Sequence, residues 1–329
     1  MTTDTPVQTA ERVAPHRHVL DLDDFNRAEI EGLLESAEAM REVLDRDIKK
    51  VPALRGKVVL TMFLEPSTRT RVSFEQAGKM LSADVINITG SGSSAEKGES
   101  LLNTALTLQA MRADLIIIRS PQSGAPYFLA NNLTTTSVIN AGDGRHAHPT
   151  QALLDLMTIR RHRGSLEGTK VVIVGDSLHS RVARSDIHGL AAVGAHVVLS
   201  GPPTMLPLDL LRGDAHAPAN VTVEPDLDRA VEGADVIMAL RIQKERTEGG
   251  TLPSMREYTR RWQVTQARLD RGNPGALVMH PGPMNEGIEV ASSIAHGPDA
   301  QIEEQVTNGV AIRMALLYQT LTGTPGGQF

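Results

Sequence analysis

The segment at residues 63–75 combines hydroxyl and guanidinium side chains where a predicted strand gives way to a predicted helix. The start of a helix presents free N–H groups and the positive end of the helix dipole, so added donors at this point predict an anion site, and phosphate is the anion that fits best. An ordinary helix cap with exposed arginines is the alternative. Two arginines interleaved with three hydroxyls favour the anion site. The donors that would form it are Ser67, Thr68, Arg69 and Thr70.

A serine- and glycine-rich run at residues 90–100 contains one lysine, Lys97. It superficially resembles a phosphate-binding P-loop, but that motif requires Gly-Lys-Ser/Thr, whereas the order here is Lys97-Gly98-Glu99. The P-loop interpretation therefore fails, and composition alone predicts a solvated loop.

Further candidates follow two predicted strands in the first half of the chain. Arg119 comes directly after residues 115–118, where the carboxyl end of a parallel strand normally presents ligand-binding groups; a buried structural arginine is the alternative. His146 and His148 follow the next strand with the spacing of a metal-binding pair. In amidohydrolases that pair opens the first strand of a barrel, whereas here it follows four strand–helix units without a further ligand set. The sequence therefore predicts no metal site and no cofactor.

The predicted strand at residues 171–174 runs into Gly175-Asp176-Ser177, a turn that invites a dinucleotide-binding interpretation. The G-x-G-x-x-G pattern is missing, because Leu178, His179 and Ser180 follow. A hydride-transfer enzyme is therefore disfavoured.

The elements that must position these residues alternate between strands and helices, a rhythm typical of βαβ units. Continuously apolar strands indicate parallel sheets covered by helices, and their number indicates two sheets. We therefore expect an α/β protein with two domains, each a mainly parallel sheet flanked by helices. The predicted strands are residues 58–63, 85–88, 115–118, 137–140, 171–174, 197–200, 236–240 and 276–279.

The break between the domains is expected near residue 150, which gives a first domain over residues 1–150 and a second over 151–301. A helix predicted at residues 150–163 would join the two domains, and further packing helices are predicted at residues 23–44 and 302–321. Loops are expected at residues 202–207, 214–220 and 244–253.

Composition limits the class of protein. The 329 residues agree with two domains of about 150 residues each. With 33 Lys+Arg against 39 Asp+Glu the formal net charge is −6, so neither nucleic acid nor a membrane surface is an expected partner. The 0 cysteines exclude a disulfide framework, thiolate zinc sites and a cysteine nucleophile. Residues 1–12 are polar and no apolar run approaches the ~18 residues of a membrane span, so a soluble cytoplasmic protein is expected.

Taken together, these segments resemble the aspartate and ornithine carbamoyltransferases. The resemblance spans about residues 20 to 320, and several separate motifs in the family's order are far more specific than any one of them. The matching segments are residues 65–75, 93–100, 119–122, 140–155, 241–246 and 280–283.

The resemblance implies an enzyme that transfers a carbamoyl group from carbamoyl phosphate to an amine, and it assigns roles to individual residues. Residues 1–150, completed by the helix at 302–321, would bind carbamoyl phosphate, and residues 151–301 would bind the acceptor. The implied carbamoyl phosphate ligands are Ser67, Thr68, Arg69, Thr70, Ser93, Arg119, His148, Gln151, Gly282 and Pro283. The implied catalytic residues are Arg69, Thr70, Lys97, Arg119 and His148. The implied acceptor ligands are Lys97, Arg181, Arg241 and Gln243.

Several features favour the aspartate branch of the family over the ornithine branch. The ornithine enzymes have a cysteine-bearing His-Cys-Leu-Pro, whereas this chain reads His280-Pro281-Gly282-Pro283. Two arginines, Arg181 and Arg241, suit a dicarboxylate because each planar fork can bind one carboxylate, although arginines of this kind are often only solvated. Gly282 stands where some relatives carry leucine or alanine.

The resemblance also implies how the site is assembled. Ser93 and Lys97 would enter the active site of a neighbouring subunit in a homotrimer, and the two domains would close on the bound substrates. A non-catalytic scaffold is the alternative, but every position expected to contact substrate is filled. Regulatory chains, a dihydroorotase partner and the role of residues 1–16 stay open.

Overall fold

The computed structural model describes residues 16–89, 100–207, 218–242 and 254–323. Ser93, Lys97 and Gln243, together with the loop expected at residues 244–253, lie outside these ranges.

The first half of the chain forms a parallel sheet of four strands, β1 (Val58–Phe63), β2 (Asp84–Thr89), β3 (Leu115–Ser120) and β4 (Ser137–Asp143). Their spatial order is β2-β1-β3-β4. Residues of β1 and β3 are buried almost throughout, as expected for parallel strands that are covered on both faces. The register pairs Phe63 with Arg119, so the segment that follows β1 begins beside this arginine.

The second half forms a parallel sheet of five strands, β5 (Lys170–Val174), β6 (His196–Ser200), β7 (Val221–Val223), β8 (Val236–Ala239) and β9 (Leu277–Met279). Their spatial order is β7-β6-β5-β8-β9. The predicted α/β architecture with two parallel sheets is therefore confirmed. The sequence prediction missed β7, a three-residue edge strand, and the expected loop at residues 202–207 contains a 3-10 turn at Pro203–Met205.

Helices cover both sheets. They are α1 (Arg27–Leu44), α2 (Thr68–Met80), α3 (Leu101–Ala110), α4 (Ala125–Asn132), α5 (Pro149–Arg163), α6 (Arg181–Ala192), α7 (Leu227–Ala230), α8 (Met255–Trp262), α9 (Gln266–Leu269), α10 (Ser292–Ala295) and α11 (Ile302–Thr322). Among the described residues, no helix is long and apolar enough to cross a membrane.

Two helices connect the halves. Helix α5 packs against α6 of the second half and against α11, while α11 also packs against α1 and α2 of the first half. One continuous apolar core therefore reaches from Leu34 in α1 through Leu156 in α5 to Val171 in β5. The C-terminal helix returns to the first half, although the strands before it belong to the second sheet.

Candidate functional site

A cavity of about 550 Å³ lies where the carboxyl ends of the two sheets meet. Its walls come from the starts of α2, α5 and α6, from the ends of β3 and β8, and from the segment that follows β9. The residues predicted for the site that the structure describes all line this cavity. They are Ser67, Thr68, Arg69, Thr70, Arg119, His148, Gln151, Arg181, Arg241, Gly282 and Pro283.

The start of α2 supplies backbone and hydroxyl donors. Ser67 has the extended backbone of a helix N-cap, yet its side chain makes no capping hydrogen bond. The first-turn N–H groups of a helix have no partner within the helix. The Ser67 hydroxyl and these N–H groups thus remain available to an anion in the cavity.

Glu65 joins two arginines that belong to different halves of the molecule. Arg119 Nη2 lies 2.6 Å from Glu65 Oε1, and Arg181 Nη2 donates a hydrogen bond to the same oxygen. Arg119 also donates to the carbonyl of Ala141 at 3.1 Å. Burial, reinforced by Arg181, lowers the pKa of Arg119 to about 10, so its guanidinium still carries a positive charge at neutral pH. Sequence reasoning missed Glu65, although it lies within the motif that carries the resemblance.

Gly142 allows the two guanidiniums to approach each other. Its φ of +117° is in the region that favours glycine, and a Cβ here would lie 3.2 Å from both Arg119 Nη1 and Arg181 Cζ. A side chain at this position would push against both arginines.

Arg69 reaches across the cavity to the segment after β9. Its Nη2 donates to the carbonyl of Pro281 at 3.1 Å, and its guanidinium occupies the space into which a Cβ at Gly282 would project. Gly282 also has a φ of +62°. Burial and the nearby Arg241 lower the pKa of Arg69. Leucine or alanine at position 282 would therefore require a different placement of Arg69.

His148 occupies the N-cap position of α5 and is buried. Its backbone N–H donates to Ser185 Oγ at 2.9 Å, and its Nε2 lies 3.5 Å from Arg119 Nη1. Burial, followed by the charges of Arg119, Arg181 and Arg313, lowers the pKa of His148 well below its usual value. The imidazole is therefore neutral at physiological pH.

Behind His148, a buried polar layer supports the cavity wall. Gln151 donates through Nε2 to both oxygens of Asp155, at 3.1 and 3.2 Å. Arg313 of α11 also lines the cavity, stacked over the Phe74 ring at 5.0 Å, and burial lowers its pKa to about 9. Sequence reasoning missed Asp155 and Arg313. Asp155 lies one helical turn beyond Gln151, and Arg313 interrupts an apolar helix. Both residues could therefore have been identified from the sequence pattern.

The charge balance of the cavity favours anions. Five arginines line it, whereas the one acidic residue in its described lining is Asp176, which lies 2.9 Å from His179 Nδ1. The possible metal pair of the sequence does not form a joint site. His146 is within 3.3 Å of Asp143 and is not part of the lining, and no cluster suited to a metal ion occurs among the described residues.

A two-domain α/β protein with two parallel sheets that end at one arginine-rich cavity belongs to the class that binds small anionic substrates between its domains. Two family models cover most of the chain. The model described as aspartate/ornithine carbamoyltransferase, carbamoyl-P binding domain, matches residues 17–161. The model described as aspartate/ornithine carbamoyltransferase, Asp/Orn binding domain, matches residues 167–320. The chain belongs to the aspartate/ornithine carbamoyltransferase family.

Individual relatives agree with this assignment. The chain is 58% identical over 315 residues to the aspartate carbamoyltransferase catalytic subunit of Roseiflexus castenholzii, covering 95% of this chain and 98% of that protein. The aspartate transcarbamoylase of Trypanosoma cruzi in complex with N-(phosphonacetyl)-L-aspartic acid superposes with a TM-score of 0.84 at 30% identity, over 94% of this chain and 98% of that one. The ornithine carbamoyltransferase of Pyrococcus furiosus superposes with a TM-score of 0.83 at 29% identity, over 96% and 100%.

Proposed function

We propose that this protein transfers the carbamoyl group of carbamoyl phosphate to the α-amine of L-aspartate. The products are N-carbamoyl-L-aspartate and inorganic phosphate, and the step belongs to de novo pyrimidine biosynthesis in the cytoplasm. The observation that carries the proposal is the joining of two anion sites in one cavity, one at the start of α2 and one at Arg181 and Arg241. The 58% identity to a catalytic subunit of that name supports aspartate over ornithine as the acceptor.

The donor half of the cavity holds carbamoyl phosphate. The first turn of α2 and the side chains of Ser67, Thr68, Arg69 and Thr70 bind the phosphate, as a helix start with added donors is suited to do. Arg119 binds between the phosphate and the carbonyl oxygen, and His148 donates to that oxygen. Gln151 accepts from the carbamoyl NH2 group. Gly282 and Pro283 contact the same group from the opposite wall.

The acceptor half holds L-aspartate. Arg181 and Arg241 each bind one carboxylate of the substrate, and Lys97 and Gln243 are proposed to add further donors. Arg181 is prepared for this role, because its Nη2 donates to Glu65 while its buried Nη1 has no hydrogen-bond partner among the described residues. A carboxylate bound at Nη1 would satisfy that donor.

In the reaction, the deprotonated α-amine of aspartate attacks the carbonyl carbon of carbamoyl phosphate. The new C–N bond forms, the C–O bond to phosphate breaks, and the leaving phosphate takes the proton that the amine loses. Negative charge that develops on the carbonyl oxygen is stabilised by Thr70, Arg119 and His148. His148 acts as a neutral hydrogen-bond donor, consistent with its strongly lowered pKa.

The two halves correspond to two domains in this proposal. Residues 1–150 with the helix at 302–321 form the carbamoyl phosphate domain, supported by the packing of α11 on α1 and α2. Residues 151–301 form the aspartate domain. Because the first domain supplies most of the donor ligands and the second supplies Arg181 and Arg241, the domains close when both substrates are bound. Small-angle scattering with N-(phosphonacetyl)-L-aspartic acid tests this, and an unchanged radius of gyration would contradict closure.

We further propose that the active unit is a homotrimer in which Ser93 and Lys97 complete the site of the next subunit. The exposed apolar side chains of Val72 on α2 and Ile86 on β2 support a subunit interface in the first half of the chain. Mixing two inactive chains, Lys97→Ala and His148→Ala, tests the shared site. Hybrid trimers regain sites with all residues intact, whereas mixtures without any recovered activity would contradict the proposal.

The proposed reaction is tested by incubating the purified chain with carbamoyl phosphate and either L-aspartate or L-ornithine. Carbamoyl-aspartate should form with the wild type and with Arg71→Ala, whose arginine lies on α2 outside the cavity lining, but not with Arg69→Ala. Citrulline would overturn the acceptor assignment, and no product from either amine would favour the scaffold alternative.

A further inference from the structure

Asp155 lies behind the cavity wall, fully buried among amide donors. Its Oδ1 accepts from Gln151 Nε2 at 3.1 Å and from Gln305 Nε2 at 2.6 Å, and its Oδ2 lies 3.2 Å from Gln151 Nε2. Gln305 in turn accepts from the backbone N–H of His280 at 3.0 Å. The orientation of the Gln305 amide is therefore fixed from both ends, and its donor must face Asp155.

A second buried carboxyl group, that of Asp186 on α6, meets Asp155 from the other side. Both side chains are fully buried, and the Asp155 carboxyl adds to burial in raising the pKa of Asp186. Two carboxyl groups share a hydrogen bond only when one carries a proton, and burial raises the pKa of both. Asp155 already accepts from two amides, whereas neither Asp186 oxygen meets an N–H or hydroxyl donor in the described ranges. A proton shared by the two carboxyl groups therefore belongs on Asp186.

We propose that Asp155 is a positioning residue that fixes the orientation of the Gln151 amide in the carbamoyl phosphate site. An amide side chain has one donor end and one acceptor end. Since the Nε2 end of Gln151 is bound to Asp155, the Oε1 end is the one presented to the cavity that Gln151 lines. The site thus accepts a hydrogen bond from the ligand at this point and selects an NH2 group over an oxygen of similar size.

This inference rests on the proposed function, because it assumes that the carbamoyl group binds at Gln151. The test uses two phosphonates of nearly the same size. Phosphonoacetamide ends in an NH2 group, which donates, and phosphonoacetate ends in a second carboxylate oxygen, which accepts. Both share the phosphonate, so the ratio of their dissociation constants, measured by calorimetry, reports on the carbamoyl end alone.

In the wild type, phosphonoacetamide should bind more tightly than phosphonoacetate. Because the two ligands differ in charge, their dissociation constants are compared after extrapolation to high salt, where the electrostatic contribution is smallest. Asp155→Leu removes the acceptor, so Gln151 is free to turn its NH2 end to the cavity. The preference for the amide should then fall by about 10- to 100-fold. One hydrogen bond is lost, and the NH2 group of the ligand would face the NH2 group of Gln151. Asp155→Asn keeps an oxygen at the Oδ1 position, and its preference should stay within about threefold of the wild type.

A preference that is unchanged in folded Asp155→Leu overturns the inference, because the amide would then be oriented by something else. A fall of more than tenfold in folded Asp155→Asn also overturns it, since charge rather than the acceptor oxygen would be responsible. The asparagine variant keeps the test decisive even if the leucine variant does not fold. Wild-type protein that binds the phosphonates with the expected preference but forms no carbamoyl-aspartate contradicts the proposed function and leaves this inference supported.

Discussion

The two proposed anion sites of the cavity are built in different ways. The donor half is built on the backbone of a 13-residue helix, with the N-cap hydroxyl of Ser67 and the buried His148 beside it. The acceptor half relies on the side chains of Arg181 and Arg241, and Gln243 lies outside the described residues. Backbone donors are fixed by the fold, whereas side-chain donors must be held by neighbours such as Glu65. The donor half should therefore tolerate changes in its surroundings better than the acceptor half.

The largest effect is expected at Arg119, where the two halves meet. Arg119→Ala removes the donor that the proposal assigns to both the phosphate and the carbonyl oxygen, and it leaves Glu65 paired with Arg181 alone. We expect kcat to fall by about 10³-fold, comparable to the loss of an oxyanion donor. Steady-state formation of carbamoyl-aspartate measures this. Arg119→Lys keeps the charge but lacks the planar fork, and it should recover little; a fall of less than tenfold in the alanine variant would remove Arg119 from the chemistry.

A smaller and more selective effect is expected in the acceptor half. Arg241→Ala should raise the KM for aspartate by about 100-fold, because charge-assisted hydrogen bonds to a carboxylate are lost. The KM for carbamoyl phosphate should change by less than about threefold, since the donor half keeps its own ligands. Initial rates over a grid of both substrates separate the two constants. Equal changes in both would show that the halves are not independent.

Ser67 in the donor half and Asn26 at the start of α1, outside the cavity lining, form a matched pair of N-cap residues. The Asn26 side chain accepts from the N–H of Glu29 in a capping box, whereas the Ser67 side chain caps nothing. Asn26→Ala should lower the free energy of unfolding by about 1 kcal/mol without affecting substrate binding. Ser67→Ala should weaken carbamoyl phosphate binding by about tenfold and leave stability within about 0.5 kcal/mol. Denaturant unfolding and calorimetry provide the two readouts, and a loss of stability at Ser67 would make it a structural cap.

The last effect concerns the buried layer beneath both halves. Because the pKa of Asp186 is raised by burial and by Asp155, the folded protein keeps a proton that the unfolded chain releases above its ordinary carboxyl pKa of about 4. Wild-type stability contributed by this group is present at low pH and is lost as pH rises toward the raised value. Asp186→Asn needs no such proton, so its stability relative to wild type should rise by up to about 1.4 kcal/mol per pH unit between pH 5 and 7. Unfolding curves at several pH values would show this; parallel pH profiles would contradict the shared proton.

Much of the fold could be predicted from the sequence because the strands of both sheets are buried on two faces. Continuous apolar runs such as residues 115–118 are typical of strands in covered parallel sheets. In the structure this strand begins where it was predicted and ends two residues later, at Ser120. Strand β7 escaped prediction for the opposite reason. Its three residues lie at the edge of the sheet and include the exposed Thr222, so the sequence has no continuous apolar run at this strand.

The candidate site was predictable where a motif combines residue types that one element must present together, as at the start of α2. The supporting residues were harder to predict, because their partners are distant in sequence. Glu65 meets Arg181 across 116 positions, and Asp155 meets Gln305 across 150. A single sequence carries no record of such pairs, whereas the i, i+4 spacing of Gln151 and Asp155 was visible.

The return of α11 to the first half has a mechanical consequence. The described chain passes between the halves once through α5 and once through the segment from β9 to α11. A body attached at two separate points can swing about the line that joins them but resists twisting about any other. The proposed closure therefore has one rotational degree of freedom. Pro281, Gly282 and Pro283 belong to the second attachment and also line the cavity, so a bound substrate acts directly on the pivot.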